Sequence, residues 1–123
     1  MLNLFKVYWL LITIILLICI TALSLWPAVS LPQVPGSDKT HHFISYGALM
    51  LPVALVRPKN LLYIACGFAL FSGAIELIQP YVNRHGEWLD MAANVTGLFF
   101  GYVIAKIIVF CVDKKHKSQL PKS

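Results

Sequence analysis

The chain has 123 residues, 59% of them hydrophobic and only 12% charged, with a formal net charge of +5 and a mean hydropathy of +0.75. Soluble domains carry about 25% charged residues, so this composition excludes an ordinary soluble domain and indicates a membrane protein. Its apolar runs use nearly all of the length, which leaves no room for a separate soluble domain and predicts one domain with four spans.

The first run, Val7 to Val29, is long enough at about 1.5 Å per residue to cross a hydrocarbon core of about 30 Å. It exceeds the apolar region of about 7 to 15 residues found in cleavable signal peptides, which favours an anchored helix. The second run, His41 to Val56, is short, carries Pro52 and opens with polar residues, so it is expected to start in the interface. The third, Leu61 to Val82, and the fourth, Trp88 to Val112, are each long enough to span with some tilt. Short connections predict an all-α, polytopic, antiparallel four-transmembrane-helix bundle. The basic tail after Val112, residues 113–123, reads as a frayed cytoplasmic stop signal and a weak contact for anionic lipid rather than as a nucleic-acid-binding segment.

Charge sets the orientation. Lys6, Arg57, Lys59, Lys106, Lys114, Lys115, Lys117 and Lys122 fall on one side of a four-span arrangement, and only Lys39 and Arg84 on the other. The positive-inside rule then places both termini in the cytoplasm and the loops around residues 31–40 and 83–87 outside. Trp26, Tyr81 and Trp88 fall at the outer interface, where aromatic belts form. Cys19, Cys66 and Cys111 lie in apolar runs without metal-type spacing and read as small buried hydrophobes.

Small residues recur at intervals of four: Ala65, Ala69 and Gly73 on the third span, and Ala93, Gly97, Gly101 and Ala105 on the fourth. Such stripes let backbones approach closely, and the expected pairing is third span against fourth within one subunit, with a homo-oligomer face as the lesser reading. Docking them brings Glu76 towards Asn94 and Asp90.

The polar residues of each span share a face: Asp38 with His42, Glu76 with Gln79, and Asp90 with Asn94. Three helix ends therefore offer one polar pocket, facing outward. Asp38 also reads as an N-cap of the second helix, a role Ser37 shares, and Asp90 as a first-turn acid favoured by the helix dipole. Glu76 has no such alternative. It lies about 9 Å deep by the helical rise, where an ionised carboxylate needs a partner, and Arg84 or Lys39 supplies one. His41 and His85 read as solvated surface.

Taken in order, the segments D-K-x-x-H-F-x-x-Y (Asp38, Lys39, His42, Phe43, Tyr46), E-x-x-Q (Glu76, Gln79), Arg84 and D-x-x-x-N-x-x-G (Asp90, Asn94, Gly97) resemble the VanZ-like membrane proteins. The resemblance covers nearly the whole chain after the first helix. It implies a single small four-helix domain, residues 1–123, in the bacterial cytoplasmic membrane, related to a founding member associated with low-level resistance to the lipidated glycopeptide teicoplanin. Pro80, directly after Gln79, departs from the pattern and is expected to end the helix and tilt the site.

The pocket admits three functional readings, beside a purely structural or partner-binding role for which the GxxxG stripe is the main support. As a binding site, Asp38, Lys39, His42, Tyr46, Glu76, Gln79, Arg84, Asp90 and Asn94 hold the head group of a lipid-linked envelope component or a lipoglycopeptide, with its acyl tail along the helices. As an enzyme, His42 acts as general base, Glu76 or Asp90 orients it, and Lys39 with Arg84 holds an anion. The same His, Glu and Asp suit a divalent metal, so the cofactor is left open. As a small proton-coupled exporter the chain is a poorer match, because its first span has no acid and its acids crowd the outer end.

Overall fold

The structure, a computed structural model, describes residues 2–26, 38–56, 58–82 and 88–122. Among these residues it is all-α: α1 (Leu2–Leu25), α2 (Asp38–Val56), α3 (Leu61–Ile78) and α4 (Trp88–Gln119), with a 3-10 turn, Gln79–Val82, continuing α3. Arg57 and residues 27–37 and 83–87, which include Arg84 and His85, lie outside the described residues. Helices are the economical solution for such a sequence, because each satisfies its own backbone hydrogen bonds away from water. Even the hydroxyls of α1 turn inward: Thr13 Oγ1 donates to the Trp9 carbonyl and Thr21 Oγ1 to the Leu17 carbonyl, each at 2.7 Å.

The elements depart from the expected spans at their ends. α2 begins at Asp38, three residues before the predicted start, and continues through Pro52. α3 stops at Ile78, because Pro80 has no N–H to give to the Glu76 carbonyl, and the chain tightens into the 3-10 turn. α4 runs on to Gln119, so the segment expected to fray is helical. Its last turn carries the basic residues His116 and Lys117, and the Lys117 charge suits a helix C-terminus.

Consecutive elements alternate in direction. α3 and α4 are antiparallel, since Ser72 meets Asn94 and Gly73 meets the Met91 side chain further back along α4. α2 and α4 are parallel, since Phe43 and Gly47 seat on Gly97 and Gly101 in the same order. The spatial order is α1, α2, α4, α3, with the largest contact between α2 and α4.

That contact corrects the expected helix pairing. The fourth-span glycines face α2, not the third span. A Cβ on Gly101 would lie 2.5 Å from the Gly47 carbonyl oxygen, and one on Gly97 would collide with the Phe43 carbonyl. Phe43 also tilts against Phe100 at 5.3 Å between ring centroids. The GxxxG element is thus consumed inside the subunit. Gly73, on the third-span stripe, approaches the flexible Met91 side chain instead.

α2 is the centre of the bundle. Tyr46, Leu49, Met50, Val53, Ala54 and Leu55 supply most of the buried core, completed by Ile20, Phe68, Leu98 and Ala105. The outer helices show the reverse pattern, with Val7, Ile18, Leu62, Leu70, Phe99 and Phe110 exposed. An apolar exterior of this extent marks a surface made for something other than water. Three helical segments, Asn3–Leu25, Leu61–Val82 and Trp88–Gln119, are long and apolar enough to cross a membrane. α2 is not among them, because its first turns hold Asp38, Lys39, His41 and His42. The three cysteines, expected to be buried, are all exposed on the helix surfaces, where a small apolar side chain is equally at ease.

The close crossing yields a direct test. Gly101→Ala puts a methyl group against backbone that cannot rotate away, and overpacking of this kind costs about 1–3 kcal/mol. Gly67→Ala is the control, with nothing within 4 Å of its Cβ. Unfolding by SDS, followed by circular dichroism, should show the loss for Gly101→Ala alone; equal stability of the two variants would contradict the crossing.

Candidate functional site

The α2–α4 crossing builds the site. His42 immediately precedes Phe43, which seats on Gly97, and Asn94 lies one turn before Gly97 on α4. The two side chains meet: Nδ1 of His42 lies 2.9 Å from Oδ1 of Asn94. Asn94 Nδ2 in turn donates to Ser72 Oγ of α3 at 2.7 Å. Asn94 and Ser72 are fully buried, so one amide ties three helices together with both its ends occupied. With the amide so placed, its carbonyl oxygen accepts from Nδ1–H, and the Nε2 lone pair of His42 is left facing the other way.

What it faces is acidic. Asp90, one turn before Asn94, has Oδ2 3.8 Å from His42 Nε2, while its Oδ1 lies 3.9 Å from Lys39 Nζ. Glu76, one turn after Ser72, completes the group: one ligand atom each from His42, Glu76 and Asp90 lie within 4.8 Å of one another. Glu76 and Asp90 are each 6% exposed. The Tyr46 hydroxyl, one turn along α2 from His42, lies near Ser72 and Glu76 without a well-formed hydrogen bond.

Two carboxylates beside one imidazole make the group acidic. The first turn of α4 favours the Asp90 carboxylate through the helix dipole. Lys39, nearly half exposed, reaches over it from the rim. The Asp90 oxygens lie 3.8 Å from His42 Nε2 and 3.9 Å from Lys39 Nζ, longer than the roughly 2.7–2.9 Å of a charge-assisted hydrogen bond. Such an arrangement can take up a cation between the carboxylates, meet an anionic group through Lys39, or use His42 as a base backed by Asp90.

Of the residues expected from sequence, Lys39, His42, Tyr46, Glu76, Asp90 and Asn94 come together. Gln79 goes elsewhere: it is buried, and its Nε2 donates to the Ser24 carbonyl at the end of α1 at 3.1 Å, tying α3 to α1. Asp38 opens α2, but its side chain and Arg84 lie outside the described residues. His41 is partly buried rather than fully solvated. Sequence reasoning passed over Ser72. Its position four residues before Glu76, on the same face, was the available signal.

The relay through Asn94 should be worth more than the ion pair at the rim. Asn94→Ala leaves the Ser72 hydroxyl and His42 Nδ1 without their partner, and is expected to cost about 1–2 kcal/mol in SDS unfolding. Lys39→Ala should cost less than about 1 kcal/mol, as exposed pairs do. The reverse order would show that Asn94 is not the tie between the helices.

Comparison with known protein families, with curated proteins and with solved structures found no match, so the function of the cluster is argued from its own geometry and chemistry.

Proposed function

We propose that the chain is a VanZ-like four-span protein of the bacterial cytoplasmic membrane whose polar pocket binds the charged head group of a lipid-linked envelope component or of a lipidated glycopeptide such as teicoplanin. The observation that carries this reading is the convergence of Lys39, His42, Glu76 and Asp90 at one end of a bundle with an apolar exterior. Polar side chains buried at the end of such a bundle are costly and point to function. Mixed charge suits a zwitterionic or anionic head group, and the exposed apolar helices suit its acyl chain.

In this reading α2 is the fourth crossing, permitted its polar start because it is enclosed by the others. Lys6, Lys59, Lys106 and the basic end of α4 lie on the cytoplasmic side with both termini, and the pocket opens on the outer side. Reporter fusions test this. A C-terminal green fluorescent protein fusion should fluoresce, and a C-terminal alkaline phosphatase fusion should be inactive; the opposite pair of results would invert the pocket into the cytoplasm and remove the reading.

One observation favours a second reading, that the pocket is catalytic: Asn94 holds His42 at Nδ1, which orients the ring and leaves Nε2, near Asp90, as the basic nitrogen. Loss of turnover on a lipid-linked envelope substrate in His42→Ala would support it, and retained turnover would end it.

The binding reading is tested in a sensitive host expressing either the parent protein or Glu76→Ala at matched membrane levels, each verified as folded by its elution profile in detergent. Protection against teicoplanin but not vancomycin, lost in Glu76→Ala, is the expected outcome. Equal susceptibility with and without the folded parent protein would reject teicoplanin as a ligand, and unchanged protection in Glu76→Ala would separate any resistance from the pocket.

A further inference from the structure

We propose that His42, Glu76 and Asp90 form a binding site for a single first-row divalent cation of the Zn2+ or Mn2+ class, with one coordination position open towards the rim. The inference stands on the geometry of the three side chains and does not depend on which head group, if any, the pocket accepts.

The ligand set is chemically coherent. One imidazole nitrogen and two carboxylate oxygens suit the borderline first-row cations, whereas Mg2+ and Ca2+ favour sites made of oxygen alone. Two carboxylates carry the charge that a divalent ion balances, and both belong to residues only 6% exposed, where that balance counts most. The three residues come from α2, α3 and α4, so the ligands are held by three separate backbones.

The spacing is that of a site slightly open. Ligand atoms around a tetrahedral Zn2+ with bonds of about 2.0–2.2 Å lie about 3.3 Å apart. Here the three lie within 4.8 Å, and the His42 to Asp90 separation is 3.8 Å.

The surrounding contacts are those expected to orient such ligands. A ligating histidine characteristically donates its other ring N–H to a carbonyl or carboxylate, which fixes the tautomer that leaves the ligating nitrogen bare. His42 Nδ1 does this with Asn94 Oδ1 at 2.9 Å, and Asn94 is itself anchored on Ser72 at 2.7 Å. Asp90 divides its oxygens in the same way, Oδ1 towards Lys39 and Oδ2 towards His42. Three protein ligands leave a fourth position for water or for an anionic oxygen of a bound molecule, as in zinc sites that keep an exchangeable position.

Full-length protein in detergent is stripped with EDTA, loaded with ZnCl2, dialysed and assayed for metal by mass spectrometry, with affinity measured by calorimetry. The expected result is one Zn2+ per chain, with affinity reduced at least tenfold in His42→Gln and in Glu76→Gln. Asn94→Ala should lose about 10- to 100-fold, the range typical of residues that orient a ligand. Controls at the exposed alternatives, His116→Gln and Cys66→Ser, should bind as the parent does. Should the site variants fail to fold, Co2+-loaded parent protein gives an independent answer: one paramagnetically shifted, slowly exchanging imidazole N–H resonance, protected by the bond to Asn94. Absence of stoichiometric Zn2+, binding lost in the control variants instead, or a Co2+ spectrum without that resonance would each overturn the proposal.

Discussion

The site depends on one close approach, the seating of α2 carbonyls on the glycines of α4. With Phe43 and Gly47 against Gly97 and Gly101, the helix backbones come nearer than any side chain would allow, and the residues one turn towards the polar end are forced together. His42 then has to meet Asn94, and Asn94 has to meet whatever α3 presents, which is Ser72. The hydrogen-bonded relay is therefore a consequence of packing two small residues at the right register. The contact that hides His42 and Asn94 is also the one that pairs them.

A division of labour follows. The far end of α2, from Leu49 to Leu55, is buried and apolar and holds the bundle by close packing. The near end carries the polar residues, with Lys39 at the rim, His42 below it and Tyr46 beneath. The acidic residues come from the two neighbouring elements, Glu76 close to the Pro80-directed end of α3 and Asp90 in the first turn of α4. Gln79, which shares the Glu76 face, is spent on holding α1 through Ser24.

Much of this was legible in the sequence, and what was not has physical reasons. The apolar runs and the i,i+4 spacing of Asp90 with Asn94 are local properties, and they led to the helices and to most of the cluster. Helix pairing is not local. A stripe such as Gly97 and Gly101 announces a close contact without naming its partner, and α2 offered the complementary backbone while α3 offered only Met91-facing Gly73. Ser72 escaped notice because a serine in an apolar helix so often bonds to its own backbone, as Thr13 and Thr21 do. The helical continuation to Gln119 was missed because the basic segment has no apolar face, yet its lysines favour helix well enough once α4 is nucleated.

The central claim is that α2 and α4 are joined at the polar site by the His42–Asn94 contact, to which Ser72 ties α3. A double-mutant cycle with His42→Ala, Asn94→Ala and the pair, read by SDS unfolding in detergent, measures that contact directly. Coupling of about 0.6–1.7 kcal/mol, the range found for hydrogen bonds between membrane helices, is the predicted result. Strictly additive losses would contradict it, and with it the joining of α2 to α4 at the site.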